Sequence, residues 1–529
     1  MPPKTALTPT STHPFTGRDL PWLLATQARA RPDQPFLIWD PFEGAGDRWT
    51  YGEFARDVAR FAAGLAARGV EAGDRILIHL GNCPEFLIAY FACSRVGAIS
   101  VTTNTRSTAD ELAYYAANAN VTAAITQPQL LETVRAAAPD LRWIACTATD
   151  LGTAPASPTP SGVLGFADLF GDESSAPSRS AEPLAPNSVQ YTSGTTSRPK
   201  GVVWTHANAL WGGRIGSELL HLQADDVTLV YLPLYHTNAI SYSTLSTLWS
   251  GGTLVLHPKF SASRFWDAIV RHGCTWFIGI PFSLLALVKQ PKPGPNKVRF
   301  IGLGASDVSI LRDAWGLRSL GWFGMTETVT LTIMSEHGWP GREMAMGVPV
   351  PGYEIKVVRD DGSEVAFGES GHLKIRGIPG ISLFLEYLGN QRATDECFDA
   401  DGWFSTGDRV TPFEDGQIRF DMRDKDMLRV GAENVAAAEI ERVIFASGGI
   451  AEVVVVGAPD DMLEEVPVAY VIPLVNAPDL ADRLLARCRA ELADFKVPRR
   501  IIVAADLPRV TLDKIDKKAL RQRLREGRE

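Results

Sequence analysis

The sequence predicts an α/β protein: a large N-terminal domain of layered α/β subdomains, followed by a small C-terminal α+β domain. Three observations carry that prediction. The chain has 529 residues, more than a single core accommodates, and 45% of them are hydrophobic. Apolar runs of strand length alternate with segments of helical period, the pattern of a largely parallel sheet covered by helices. Charges then crowd between Glu414 and Arg429, just ahead of a further buried strand, which puts a domain boundary near 420–427.

Residues 1 to about 18 are rich in Thr, Pro and Ser and read as loosely ordered. Thr50 with Glu53 makes a capping box, and Phe54, Val58, Phe61 and Leu65 follow at helical spacing. Arg75 to Leu80 reads as a buried strand, Pro84 to Val96 as a mostly apolar helix, and Ile99 to Thr103 as another strand. Thr108 with Glu111 caps the next helix, and Val121 to Thr126 is again a strand. Residues 151–187 turn rich in Ala, Pro, Ser and Gly and predict a long surface connection. Strand-like runs return at Val227 to Leu232 and Gly252 to Leu256. Asp360-Asp361-Gly362 predicts a hairpin turn. Val453 to Val456 is the buried strand of the C-terminal unit. From Lys514 to Glu529, seven Lys/Arg against three acids predict a solvated helix.

Composition narrows the function classes. A net charge of −9 leaves no electrostatic footprint for nucleic acid. The six cysteines are scattered without a C-x-x-C pair, and the nine histidines form no H-E-x-x-H, so neither a disulfide framework nor a zinc site is expected. No signal-peptide run and no membrane-spanning run is visible, which predicts a cytoplasmic protein without a membrane span.

The richest stretch runs Tyr191-Thr192-Ser193-Gly194-Thr195-Thr196-Ser197-Arg198-Pro199-Lys200-Gly201. Hydroxyls, a glycine and two cations suit a phosphate chain, although no Gly-Lys-Ser/Thr of a Walker A loop closes it. Four further segments follow in order. They are Phe323-Gly324-Met325-Thr326-Glu327, Ser405-Thr406-Gly407-Asp408, Arg423 to Asp426 with Gly431 to Val435, and Lys514 to Leu520. Each alone also reads as a turn, a helix start, a charge run or a basic helix. Their joint occurrence is what points to one reaction.

In that combination the chain resembles the adenylate-forming superfamily of acyl-CoA synthetases, peptide-synthetase adenylation domains and firefly-type luciferases. The resemblance extends from roughly residue 20 to 525. Within the superfamily it is most similar to crotonobetaine/carnitine-CoA ligases, on Ser197, the Phe260 to Trp266 spacing, Lys374 to Gly380, and Asp401-Gly402-Trp403. The resemblance implies an N-terminal AMP-binding domain over 1–421, a hinge at 422–427 and a mobile C-terminal domain over 428–529. It implies an ATP-dependent acid–thiol ligase that forms an acyl-adenylate, releases pyrophosphate and passes the acyl group to CoA, with Mg²⁺ as cofactor. The implied partners are the carboxylic acid, CoA or a carrier protein, and a second copy in a homodimer.

The resemblance also assigns residues. Thr192, Ser193, Gly194, Thr195, Thr196 and Lys200 would hold the β- and γ-phosphates. Phe323 would stack on adenine, with Gly304 and Ala305 as the opposite wall. Thr326 would contact the α-phosphate and Glu327 would hold Mg²⁺. Asp408, helped by Arg423, would take the ribose hydroxyls. Lys425 matches the hinge, Gly431 to Val435 the thiol channel, Lys514 the catalytic lysine, and His236 an aromatic position beside the carboxylate pocket. Two positions depart from the pattern: Asp513 stands where glycine usually precedes the lysine, and Ser197 replaces a loop glycine.

The chemistry accounts for these residue types on its own terms. A carboxylate attacking an α-phosphate is an anion meeting an anion, so a cation and Mg²⁺ must offset charge. A hard cation takes carboxylate oxygen. An aspartate accepts two hydrogen bonds from a ribose diol. Walls at His236 to Ile240, Gly302 to Ala305 and Val329 to Leu331 are mostly apolar or small, with no obvious cation to meet a second carboxylate. They predict a bulky, largely hydrophobic monocarboxylic acid and, by analogy, a place in natural-product biosynthesis. The alternatives are an enzyme that loads carrier-protein phosphopantetheine, a catalytically impaired nucleotide-binding protein and a luciferase-type oxygenase.

Overall fold

The computed structural model describes residues 12–155, 160–192, 199–291, 293–306, 308–338, 341–423, 427–430, 433–460, 463–475, 477–492, 494–510 and 515–526. The chain divides into two compact units, 1–355 with 375–404, and 356–374 with 405–529. Among the described residues no helix is long and apolar enough to cross a membrane.

The first unit holds two large sheets. One runs, in spatial order, Glu386–Tyr387, Lys200–Thr205, Pro186–Thr192, Ile99–Thr102, Arg75–His79, Ala123–Thr126, Ile144–Cys146 and Leu164–Gly165. Its centre is parallel, and Lys200–Thr205 joins Pro186–Thr192 antiparallel. Both predicted capping boxes form, at Thr50/Glu53 and Thr108/Glu111. Leu77, Val101, Ala124, Val189 and Val203 pack under the helix Ala109–Ala119 through Leu112 and Tyr115.

The 151–187 segment is more than a surface connection. Leu164–Gly165 adds an edge strand, and Phe166 and Leu169 are buried. Phe166 stacks on Phe61 at 4.4 Å between centroids. Its Ala/Pro/Ser composition hides a short apolar anchor that local pattern cannot distinguish from a loop.

The second sheet runs Val348–Pro349, Leu331–Met334, Ser319–Gly324, Phe300–Leu303, Trp276–Ile278, Val227–Val230, Thr253–Leu256, Pro35–Trp39 and Asp47–Thr50. Phe300–Leu303 and Ser319–Gly324 are parallel neighbours. Their carboxyl ends therefore lie side by side, the usual place for a ligand in such sheets.

The second unit contains most of the four-stranded sheet Glu354–Val358, Gly371–Arg376, Phe404–Pro412 and Ile418–Arg423. Asp360-Asp361-Gly362 does turn the chain, with Gly362 at φ +84° and its N–H donating to Arg359 O at 3.0 Å. A further sheet pairs Ile450–Asp460 with Glu464–Pro473, packed on the helix Ala437–Phe445. The helix Lys517–Arg525 buries Leu520 and Leu524 and exposes Lys518 and Arg525, while Lys517 Nζ lies 3.4 Å from Glu441 Oε1.

Candidate active site

The hydroxyl-rich stretch begins and ends on paired strands. Thr192 is the register partner of Lys200, which closes the base of the loop. Ser193, Gly194, Thr195 and Thr196 lie outside the described residues. Lys200 Nζ sits 4.4 Å from the ring centroid of Tyr387, a favourable cation–π distance. Tyr387 is held on the strand Glu386–Tyr387 against Val202 and donates its hydroxyl to Glu327 Oε1 at 2.9 Å. Burial, and then the Glu327 carboxylate, hold the Tyr387 phenol well above its usual pKa, so it stays a donor. Lys200 and Glu327, distant in sequence, are thus joined through one tyrosine. Glu327 is a buried carboxylate, an oxygen donor of the kind Mg²⁺ takes, so the residues present fit that ion.

Thr326 belongs to a second chain of contacts. Thr237 Oγ1 lies 3.0 Å from Thr326 Oγ1 and 3.1 Å from Gln190 Oε1. Trp204 Nε1 donates to Thr326 O at 2.8 Å. Gln190 and Trp204 stand on the two strands that bear the hydroxyl-rich loop. His236 precedes Thr237 and is half-buried, its ring 4.7 Å from that of Tyr235. The turn that carries it is fixed by buried Asn82, whose Nδ2 donates to Leu232 O and whose Oδ1 accepts from Leu234 N at 2.9 Å.

Phe323 lies at the carboxyl end of its strand, and Gly304 and Ala305 follow the neighbouring strand. A Cβ on Gly304 would meet nothing within 4 Å, so that side is open. Gly302 differs. A Cβ there would fall 1.6 Å from Trp322 Cη2, because the outer edge of the indole fills that space. Trp322 in turn meets Tyr242 edge-on at 6.3 Å.

Asp408 is in the second unit, 1% exposed. Gly407 precedes it at φ +73°, a conformation that favours glycine. Thr406 Oγ1 accepts from Asp408 N at 3.1 Å and donates to Leu373 O at 2.9 Å. Arg423 is its register partner. The Arg423 side chain, Lys425, Gly431, Asp513 and Lys514 lie outside the described residues.

Sequence reasoning missed Gln190, Tyr387 and Trp204, and placed Thr237 only in the wall of the acid pocket, not beside Thr326. Gln190 and Trp204 flank the recognised loop and could have been found by strand alternation. Tyr387 carries no local signal, because its role arises only when an edge strand pairs with Lys200–Thr205.

The family model for AMP-binding enzymes matches residues 24–388, and that for the AMP-binding enzyme C-terminal domain matches 439–514. A crotonobetaine/carnitine–CoA ligase of Salmonella choleraesuis is 32% identical over 505 residues, covering 92% of this chain and 96% of its own. The ligase of the same name from Escherichia coli is 32% identical over 502 residues, at 92% and 95% coverage. ATP-bound MatB from Rhodopseudomonas palustris superposes with a TM-score of 0.82 at 26% identity, covering 97% of this chain and 100% of that one. The anthranilate CoA ligase AuaEII, bound to anthranoyl-AMP, has the same fold, with a TM-score of 0.86, 23% identity and coverage of 98% and 99%.

Proposed function

The chain belongs to the AMP-binding enzyme family and is an AMP-forming acyl-CoA synthetase, and from that premise we propose that it joins a bulky, largely hydrophobic monocarboxylic acid to CoA. The observation that carries the reading is the convergence of the Lys200–Tyr387–Glu327 contacts and the Gln190–Thr237–Thr326 contacts at the ends of the loop-bearing strands. Lys200 sets a positive charge beside the phosphates. Thr326 and Thr237 offer hydroxyls to the α-phosphate and the incoming carboxylate. Glu327, oriented by Tyr387, would hold Mg²⁺, which when bound offsets charge on the phosphates. Phe323 lies along adenine, with Gly304 and Ala305 opposite.

Asp408 and Arg423 hold the ribose, and Lys514 completes the first half-reaction. Residues 1–421 and 428–529 act as the two domains, pivoting about Lys425 in the hinge 422–427. The second half-reaction then brings Gly431 to the thiol. Trp322 and Tyr242, both buried, favour an apolar or aryl acid over one with a second charge. The free cysteines fit a reducing cytoplasm. A pantetheinylated carrier protein is the competing acceptor, and a homodimer is the assembly to look for by sedimentation.

A screen of acid-dependent pyrophosphate release tests the reading, using benzoate, anthranilate, octanoate and crotonobetaine, each with CoA, with a pantetheinylated carrier, or with neither. AMP and pyrophosphate are expected, with thioester only when a thiol is present. ADP with an acyl phosphate, or nucleotide binding without turnover, would overturn it.

A further inference from the structure

The backbone of the Thr326–Glu327 motif is held from three sides at once. Thr326 O accepts from Trp204 Nε1 at 2.8 Å, and Glu327 O accepts from Phe384 N at 2.8 Å. Thr328 O accepts from the Tyr353 hydroxyl at 2.7 Å. Three successive carbonyls are therefore bound by donors from three separate parts of the first unit.

The next residue shows the cost. Val329 has φ +67° and ψ −45°, and Thr330 N donates back to Thr328 O at 2.6 Å. This is a γ-turn in its strained, positive-φ form, on a fully buried β-branched residue. Such strain persists only where the surroundings over-determine it. Thr328 O is where turn and surroundings meet, since it accepts both Thr330 N and the Tyr353 hydroxyl. Tyr353 is itself buried; Trp211 Nε1 donates to its oxygen at 2.9 Å, and its one hydroxyl proton lies in reach of Thr328 O at 2.7 Å and Ser382 O at 2.9 Å, the shorter contact being to Thr328 O. Burial, the leading cause, holds its phenol far above the usual pKa, so it remains a donor.

We propose that Tyr353 is a positioning residue: its hydrogen bond to Thr328 O holds the strained turn at Val329 and so keeps the Glu327 carboxylate where it would hold Mg²⁺. The proposal rests on the function proposed above. Without the Tyr353 hydroxyl, a β-branched residue leaves the positive-φ region and carries Glu327 with it. With glycine at 329 the turn is unstrained, and the anchor becomes dispensable.

Calorimetric titration with ATP, with Mg²⁺ and with EDTA, tests this without any acid. Tyr353→Phe should weaken MgATP binding by about 10–100-fold, the range for losing an outer-shell support of a metal ligand. Metal-free ATP binding should change less than about threefold, which a general loss of structure would not permit. In a Val329→Gly background, adding Tyr353→Phe should weaken MgATP binding less than about threefold. Equal MgATP binding by Tyr353→Phe and the wild type overturns the proposal. So does an equal loss with and without metal, or a loss of the same size in the Val329→Gly background. A wild-type chain that binds no MgATP would instead overturn the functional reading.

Discussion

The ribose contact proposed for Asp408 would rest on one buried carboxylate. The Asp408 backbone is pinned by Thr406, and Gly407 takes the left-handed conformation that sets it in place. A carboxylate taken out of water is costly unless it finds donors, and a ribose diol supplies two. Asp408→Ala should therefore weaken ATP binding by about 1–3 kcal/mol. Comparing ATP with its 2′,3′-dideoxy form separates ribose recognition from general damage. Wild type should prefer ATP, and Asp408→Ala should bind both alike. A mutant that keeps the preference would reduce Asp408 to a turn residue. Gly302 makes a packing argument at the same scale. The Trp322 ring occupies the space of its missing side chain, so Gly302→Ala should cost about 1–3 kcal/mol of stability by overpacking. Denaturant melts check this, and Trp322→Leu in the same background should restore part of the loss.

At the scale of elements, the helix His206–Leu219 packs on the π-helix Asn238–Leu245, a wall that begins directly after His236 and Thr237. Gly212 and Gly216 lie where side chains would strike Ser241 and Ser246, and a Cβ on Gly213 would come within 2.8 Å of Leu245 O. Side-chain hydrogen bonds accompany the wide winding. Thr244 Oγ1 donates to Ala239 O at 2.8 Å and Ser246 Oγ to Ser241 O at 3.2 Å, each five residues back. Gly216→Val should push this wall away, lower stability by about 1–3 kcal/mol, and raise the KM of the acid more than that of ATP. Steady-state kinetics decide, because equal changes in both KM values would detach the wall from the acid pocket. None of this was legible beforehand. The capping boxes at Thr50 and Thr108 were legible because they are spelled within four residues. So were the strands Arg75–His79 and Ile99–Thr102, whose apolar runs need no partner to be recognised. The edge strand at Leu164–Gly165, the Tyr387–Glu327 bond and the turn at Val329 each depend on partners far along the chain. A single sequence shows the residues there but not their meeting.

For the molecule as a whole, two half-reactions must share one acyl group. The first needs a cation where carboxylate meets α-phosphate, and the second needs a thiol in the same space. One rigid arrangement cannot supply both, and the proposed rotation of the C-terminal domain about the hinge 422–427 would resolve the conflict. On the proposed reading, Lys514 serves the first arrangement only and gives way to Gly431 in the second. Lys514→Ala should lower pyrophosphate release by ~10²–10³, the usual cost of removing one well-placed donor. Given presynthesised acyl-adenylate and CoA, the same variant should form thioester at close to the wild-type rate. Lys425→Pro should do the reverse, since proline fixes φ near −65° and restricts its predecessor, which blocks a pivot without touching the adenylation groups. Adenylate should then accumulate while thioester formation collapses. The pair is a stronger test than either variant alone: if both half-reactions fell together in each, the two arrangements would not be separable and the chemistry would run in one fixed site. Asp513 adds a last condition. An acid beside Lys514 can pair with it in the arrangement where the lysine is idle, so Asp513→Gly should raise or preserve pyrophosphate release, and a loss would give the acid a positive role in delivering Lys514.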